Sequence, residues 1–112
     1  MSEPLVVLLT AGSQEEAERI ARALVGEMLA ACVNVIPGVT SIYRWQGEIQ
    51  QDQEWLLVAK SRRDVLDDLV GRVQALHSYD LPEIIALPLA GGSEAYLRWL
   101  DEQVHGDWHP TD

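Results

Sequence analysis

The chain has 112 residues, 47% of them apolar, and sets eight Lys and Arg against eighteen Asp and Glu for a formal net charge of −10. That length and apolar content fit one packed domain and exclude a disordered polymer, while the acidic balance argues against phosphate-backbone binding, which draws its affinity from clustered basic residues. A field of this sign attracts cations, repels nucleic acid and anionic membranes, and also serves solubility.

A single cysteine, Cys32, rules out an internal disulfide, and the N-terminal run MSEPLVVLLTA lacks the basic region and small-residue cleavage site of a secretory signal. A cytoplasmic protein is the expectation. No apolar run reaches the roughly 18 residues of a membrane span without a charge or a breaker; even Ala31 to Tyr43 contains Asn34 and Pro37.

In chain order, Leu5 to Thr10 is a compact Val- and Leu-rich run that predicts a strand. Gly12 and Ser13-Gln14-Glu15-Glu16 follow with the spacing of a capping box, so a helix starts there. Its apolar residues Ala17, Ile20, Ala21, Leu24, Val25, Met28 and Leu29 recur at helical spacing, which predicts that Glu16, Arg19, Arg22 and Glu27 point away from the core.

From Ala31 to Ile49 the run ACVNVIPGVTSIYRWQGEI is apolar, nearly uncharged and far longer than an ordinary strand of about 5–6 residues. Asn34, Pro37 and Gly38 interrupt it, and Gly47 ends it before a second strand from Glu48 to Lys60, which together give an extended hairpin. Ser61, three residues ahead of Asp64, predicts the cap of a second amphipathic helix carrying Val65, Leu66, Leu69, Val70, Val73 and Leu76 and ending near His77. Gly71 weakens that helix by roughly 1 kcal/mol relative to Ala.

Glu83 to Leu89 reads as a fourth strand, with Pro88 confined to an edge or a strand end. Gly91-Gly92-Ser93 then turns the chain and caps a short helix containing Tyr96, Leu97, Leu100 and Val104. Residues 105–112 have no periodicity and are expected to form a mobile tail after a single domain over residues 1–104.

The order strand, helix, strand, strand, helix, strand is the split βαβ pattern. It predicts an α+β ferredoxin-like sandwich, a four-stranded antiparallel sheet with two helices on one face, extended here by the long hairpin and the short C-terminal helix. Two helices cover one face only, so the strands of a monomer should alternate apolar and polar residues. They do not: Leu5, Val7 and Leu9 alternate with Val6 and Leu8, Trp55, Leu57 and Ala59 with Leu56 and Val58, and Ile85 and Leu87 with Ile84 and Ala86. A second face of this composition exceeds the apolar patch that monomers tolerate, so further copies of the chain are expected to cover it.

The stretch ACVNVIPGVTSIYRWQGEI also resembles the signature of the CutA family, the divalent-cation tolerance proteins. Glu54, Lys60-Ser61, His77-Ser78-Tyr79, Pro82-Glu83-Ile84, Gly92 and Tyr96-Leu97-Arg98-Trp99-Leu100 fall in the order that resemblance requires, over about nine tenths of the chain. The resemblance implies a tight homotrimer whose sheets face one another around a three-fold axis and whose hairpins pair edge to edge.

His77, Tyr79, Glu83 and Lys60 lie at element ends that a split βαβ sheet can bring together, and convergence beside Tyr43 and Trp45 would build a small-ligand or metal cleft between subunits. The plainer alternative leaves His77 at a helix C-terminus, Glu83 and Lys60 in a structural ion pair and the aromatics as interface packing. Thiolate suits Cu(I) and imidazole Cu(II), and the resemblance implies copper binding. The Cys and His positions that some members use for it correspond here to Leu9 and Leu76, leaving His77 as the one candidate ligand of that set. Cys32 reads as a small buried hydrophobe. The tail groups His105, Asp107, His109 and Asp112 could hold a divalent ion only at an ordering cost. Metal affinity is therefore expected to be weak and shared between subunits, with no obligatory cofactor.

The leading function is a non-catalytic homotrimer linked to divalent-cation tolerance. Alternatives are a small-effector signalling trimer similar to the PII regulators, for which only Gly91-Gly92 and Arg62-Arg63 offer phosphate contacts, and a scaffold or anchoring trimer. An enzyme is not expected: no G-x-S-x-G, H-E-x-x-H or C-x-x-C occurs.

Overall fold

A computed structural model describes residues 2–105. The tail groups Asp107, His109 and Asp112, and the predicted tail beyond His105, lie outside the described residues. The chain runs β1 (Pro4–Ala11), α1 (Gln14–Gly26), β2 (Cys32–Trp45), β3 (Glu48–Arg62), a 3₁₀ turn (Arg63–Val65), α2 (Leu66–Leu76), β4 (Ile84–Pro88) and α3 (Glu94–Gln103). The sheet order is β2-β3-β1-β4 with every neighbouring pair antiparallel, the arrangement of a ferredoxin-like split βαβ unit. Pro37 and Pro88 sit on the two edge strands, where a missing N–H costs no internal ladder bond. Among the described residues no helix is long and apolar enough to cross a membrane.

One side of the sheet carries the core. Leu5, Val7, Leu9 and Ala11 of β1 and Leu57 and Ala59 of β3 are buried there with Ile20 and Leu24 of α1 and Leu69 and Val73 of α2. Leu100 and Val104 join them from the C-terminal segment.

Three local expectations are corrected. Ser61 does not cap the second helix: it is the last buried residue of β3, and its hydroxyl donates to the Leu29 carbonyl at 2.6 Å, while α2 begins after the 3₁₀ turn with no side-chain cap. The first helix ends earlier than its apolar periodicity suggests. Met28 adopts the left-handed conformation at φ 60°, and the amides of Leu29 and Met28 return to the carbonyls of Leu24 and Val25, so Leu29 is buried outside the helix and Val25 is exposed. Glu16 points inward rather than out. The Ser13 hydroxyl accepts from the Glu16 amide at 3.2 Å as a capping box requires, but the buried Glu16 carboxylate accepts from the Ser78 amide at 2.8 Å.

The long hairpin divides at a bulge. Ile36 pairs with Leu56 and Val39 with Glu54, so Pro37-Gly38 adds one residue to β2, and Gly38 takes φ 77°. The last β1–β3 pair is Ala11 with Trp55, directly opposite that bulge. Beyond it β2 and β3 continue as a two-stranded arm, closed by Gln46-Gly47 at φ 50° and 82°, a two-residue turn whose positive φ values match the twist of the strands.

Among the described residues, the other face of the sheet is apolar and left largely uncovered. Val6, Leu8, Leu56 and Val58 are only half-buried, and Ile36, Ile85 and Leu87 are 42%, 53% and 52% exposed. Alternation along each strand therefore separates a helix-covered apolar face from an open one.

Candidate functional site

The root of the arm gathers the polar groups. Tyr79, in the loop after α2, donates its hydroxyl to Glu54 of β3 at 2.9 Å, and the Glu54 side chain lies in a residue only 7% exposed. Gly12, just past β1, makes room for this contact: a Cβ there would meet the Tyr79 hydroxyl at 2.8 Å. The His77 and Tyr79 rings lie 4.6 Å apart between centroids. His77 Nδ1 accepts from the Tyr79 amide at 3.0 Å, which leaves the proton on Nε2 to donate to the Thr10 carbonyl at 2.7 Å. Glu16, in the first turn of α1, secures the same loop through Ser78.

Electrostatics follow from these contacts. Burial, and then the hydrogen bond to Glu54, hold the Tyr79 phenol well above its ordinary value, so it stays a neutral donor. Burial opposes the charged form of Glu16, but hydrogen bonds from Ser78 outweigh it and lower the carboxyl below its ordinary value. On the arm, the Tyr43 hydroxyl donates to Asp52, and this hydrogen bond raises the phenol.

Of the predicted cleft residues, the structure brings together His77 and Tyr79 and leaves the others apart. Lys60 pairs across the sheet with Val6 and Cys32, some six residues up β3 from Glu54, a separation of about 20 Å. Its ammonium donates to Asn34 Oδ1 and lies 3.9 Å from Cys32 Sγ. Tyr43 and Trp45 stand on the projecting arm, and Glu83 is exposed ahead of β4 with no ion pair to Lys60. Within one chain these side chains stay apart, because Lys60 and the His77 loop occupy opposite ends of the sheet; the cleft expected from them lies between subunits. Cys32 is half-buried rather than in the core. Burial and the neighbouring thiol raise the Tyr96 phenol.

Sequence reasoning missed Glu16 and Gly12 and left Glu54 outside the candidate site. Glu16 carried the signal of a capping-box carboxylate, which also suits an inward ligand. Glu54 carried the signal of the last carboxylate before the apolar run Trp55 to Ala59 of β3. Gly12 gave no signal of its own, since the neighbour it accommodates lies far away in sequence.

A copper site within one chain does not fit these residues. Both His77 nitrogens are engaged, Leu9 and Leu76 offer no donor atom, and among the described residues no group of three His, Cys, Asp or Glu side chains is placed to hold a metal ion. A separate cleft of about 410 Å³ lies between α1 and β2, lined by Gln14, Ala21, Arg22, Val33, Pro37 and Trp55 among others, and it includes none of the predicted site residues.

Fold and site together define a ferredoxin-like α+β protein with a hydrogen-bonded polar cluster at the root of a projecting arm and an open apolar sheet face. The chain belongs to the CutA1 divalent ion tolerance protein family, whose model matches residues 5–103. It is 58% identical over 99 residues to the divalent-cation tolerance protein CutA of Thermus thermophilus, covering 88% of this chain and 96% of that one. It is 48% identical over 96 residues to the chloroplastic protein CutA of Arabidopsis thaliana, covering 86% of this chain and 53% of the relative, so this chain spans about half that protein's length. The solved structure of the Thermus thermophilus protein aligns with a TM-score of 0.90 at 55% identity, over 91% of this chain and 99% of the other.

Proposed function

We propose that the protein is a non-catalytic homotrimer associated with divalent-cation tolerance, which binds a cation or small molecule at clefts between copies. One observation carries this reading: the open sheet face, with Ile36, Ile85 and Leu87 each at least 42% exposed, is too apolar for a soluble single copy. Covering it with the same face of other copies also uses the free backbone of edge strands β2 and β4. Because the described residues of one chain offer no complete metal site, a cation cleft would draw donors from two copies, with Tyr79, Glu54 and the arm residues Tyr43 and Asp52 as candidates. The same reading places the protein in the cytoplasm, on its lone cysteine; the Arabidopsis relative is described as chloroplastic.

Ile85→Glu and Leu87→Glu test the assembly. Both side chains are about half exposed in a single copy, so a charge there leaves a monomer's fold intact but disrupts a trimer. Sedimentation showing a wild-type trimer and smaller, folded variants supports the reading; variants with the wild-type mass contradict it. Calorimetric titration of the trimer with Cu²⁺ and Zn²⁺ tests the cleft, and no heat at millimolar metal removes the cation from the proposal.

A further inference from the structure

Alternate residues of β3 share the open face, and read in order they are Glu48, Gln50, Asp52, Glu54, Leu56, Val58, Lys60 and Arg62. The stripe is acidic along the arm, apolar across the middle and basic at the far end. Arg62 is already matched by Asp64 at 2.8 Å and Asp101 at 3.3 Å. Lys60 is not: among the described residues its ammonium meets the Asn34 amide oxygen and the Cys32 thiol, and no carboxylate lies within ion-pair distance. Glu48 and Asp52 are the exposed acids of that stripe; Asp52 is the one nearer the apolar strip, and its partner among the described residues is the neutral Tyr43 hydroxyl. Eight residues of strand put Asp52 about 26 Å from Lys60 of the same chain, so the two cannot meet within one copy.

Burial of the face between them would strand an ammonium against an apolar surface, and a desolvated charge is tolerated only when paired. We infer that Lys60 of one copy is paired with Asp52 on the arm of the next, a head-to-tail contact that orients the copies around a closed ring. This rests on the homotrimer proposed above and deepens it. A second copy is the occupant favoured here because one surface carries both complementary ends, separated by the apolar strip that has to be covered. A head-to-tail contact repeats around a ring, whereas the same patch meeting itself closes a pair.

The experiment is sedimentation of the full chain across a concentration series, at low and high NaCl and at a fixed sub-denaturing urea concentration, with far-ultraviolet circular dichroism to verify folding. Lys60→Glu and Asp52→Lys are each expected to raise the concentration at half dissociation by about tenfold, the scale of a partly desolvated ion pair. The double variant Lys60→Glu/Asp52→Lys is expected to restore it to near the wild-type value. Lys60→Met keeps the aliphatic stem, guards against loss of the fold, and is expected to flatten the salt dependence of dissociation. Single variants that dissociate like the wild-type trimer, or a double variant whose effects simply add, would overturn the pairing while leaving the trimer intact. A wild-type chain that sediments as a monomer or a dimer overturns the homotrimer itself.

Discussion

The Tyr79 hydroxyl donates to Glu54 at 2.9 Å, and this one contact ties the loop after α2 to the point where β3 leaves the sheet for the arm. It closes directly over Gly12, where no side chain fits without displacing the phenol. Tyr79→Phe leaves a largely buried carboxylate without its donor and is expected to cost about 1–3 kcal/mol in urea denaturation. Gly12→Ala pushes the same hydroxyl away and should cost a similar amount. Since both act through one contact, the double variant should lose clearly less than the sum, which a double-mutant cycle reads directly.

Glu16 makes stability depend on acid. Its folded-state pKa lies below the ordinary value of 4.5, because hydrogen bonds from Ser78 to the carboxylate outweigh burial. A depressed carboxyl stabilises the fold above its unfolded pKa and loses that contribution as pH falls through the folded value. Glu16→Gln is therefore expected to be less stable than wild type near pH 7, with the gap narrowing below about pH 4.5. A gap that is constant from pH 7 to pH 3 contradicts this role.

Trp55 sits opposite the bulge with its indole Nε1 buried and unpartnered among the described residues. Deleting a buried orphan donor recovers about 1–3 kcal/mol, which offsets much of the apolar area lost with the larger ring. Trp55→Phe is expected to change the unfolding free energy by less than about 1 kcal/mol; a loss of several kcal/mol would show that the nitrogen is satisfied.

The turn at the arm's tip places Gln46 at φ 50° although its side chain is exposed. Asn tolerates that conformation better than Gln, and Asn-Gly is a favoured pair for such turns. Gln46→Asn should slow hydrogen exchange of arm amides by a few fold and leave α1 and α2 unchanged.

Much of this architecture is legible in the residues. Val and Leu runs, the Ser13 and Ser93 caps, the Gln46-Gly47 turn and Pro88 each mark their element through local physics, and the doubly apolar strands show as alternation that fails. The errors arise where tertiary contacts outweigh local preference. Ser61 has the spacing of a helix cap but satisfies the Leu29 carbonyl instead, and Met28 accepts a left-handed backbone so that Leu29 can reach the core. Lys60 and His77 stand at element ends in sequence, yet strand direction sends them to opposite ends of the sheet. Only the register, with Lys60 opposite Val6 and Glu54 opposite Val39, decides that.

Light scattering on the purified full chain, coupled to size exclusion at micromolar concentration, tests most directly whether the open apolar face is shared between copies. The account predicts a mass three times the 12.5 kDa of one chain, and a homogeneous species at the mass of a single chain would contradict it.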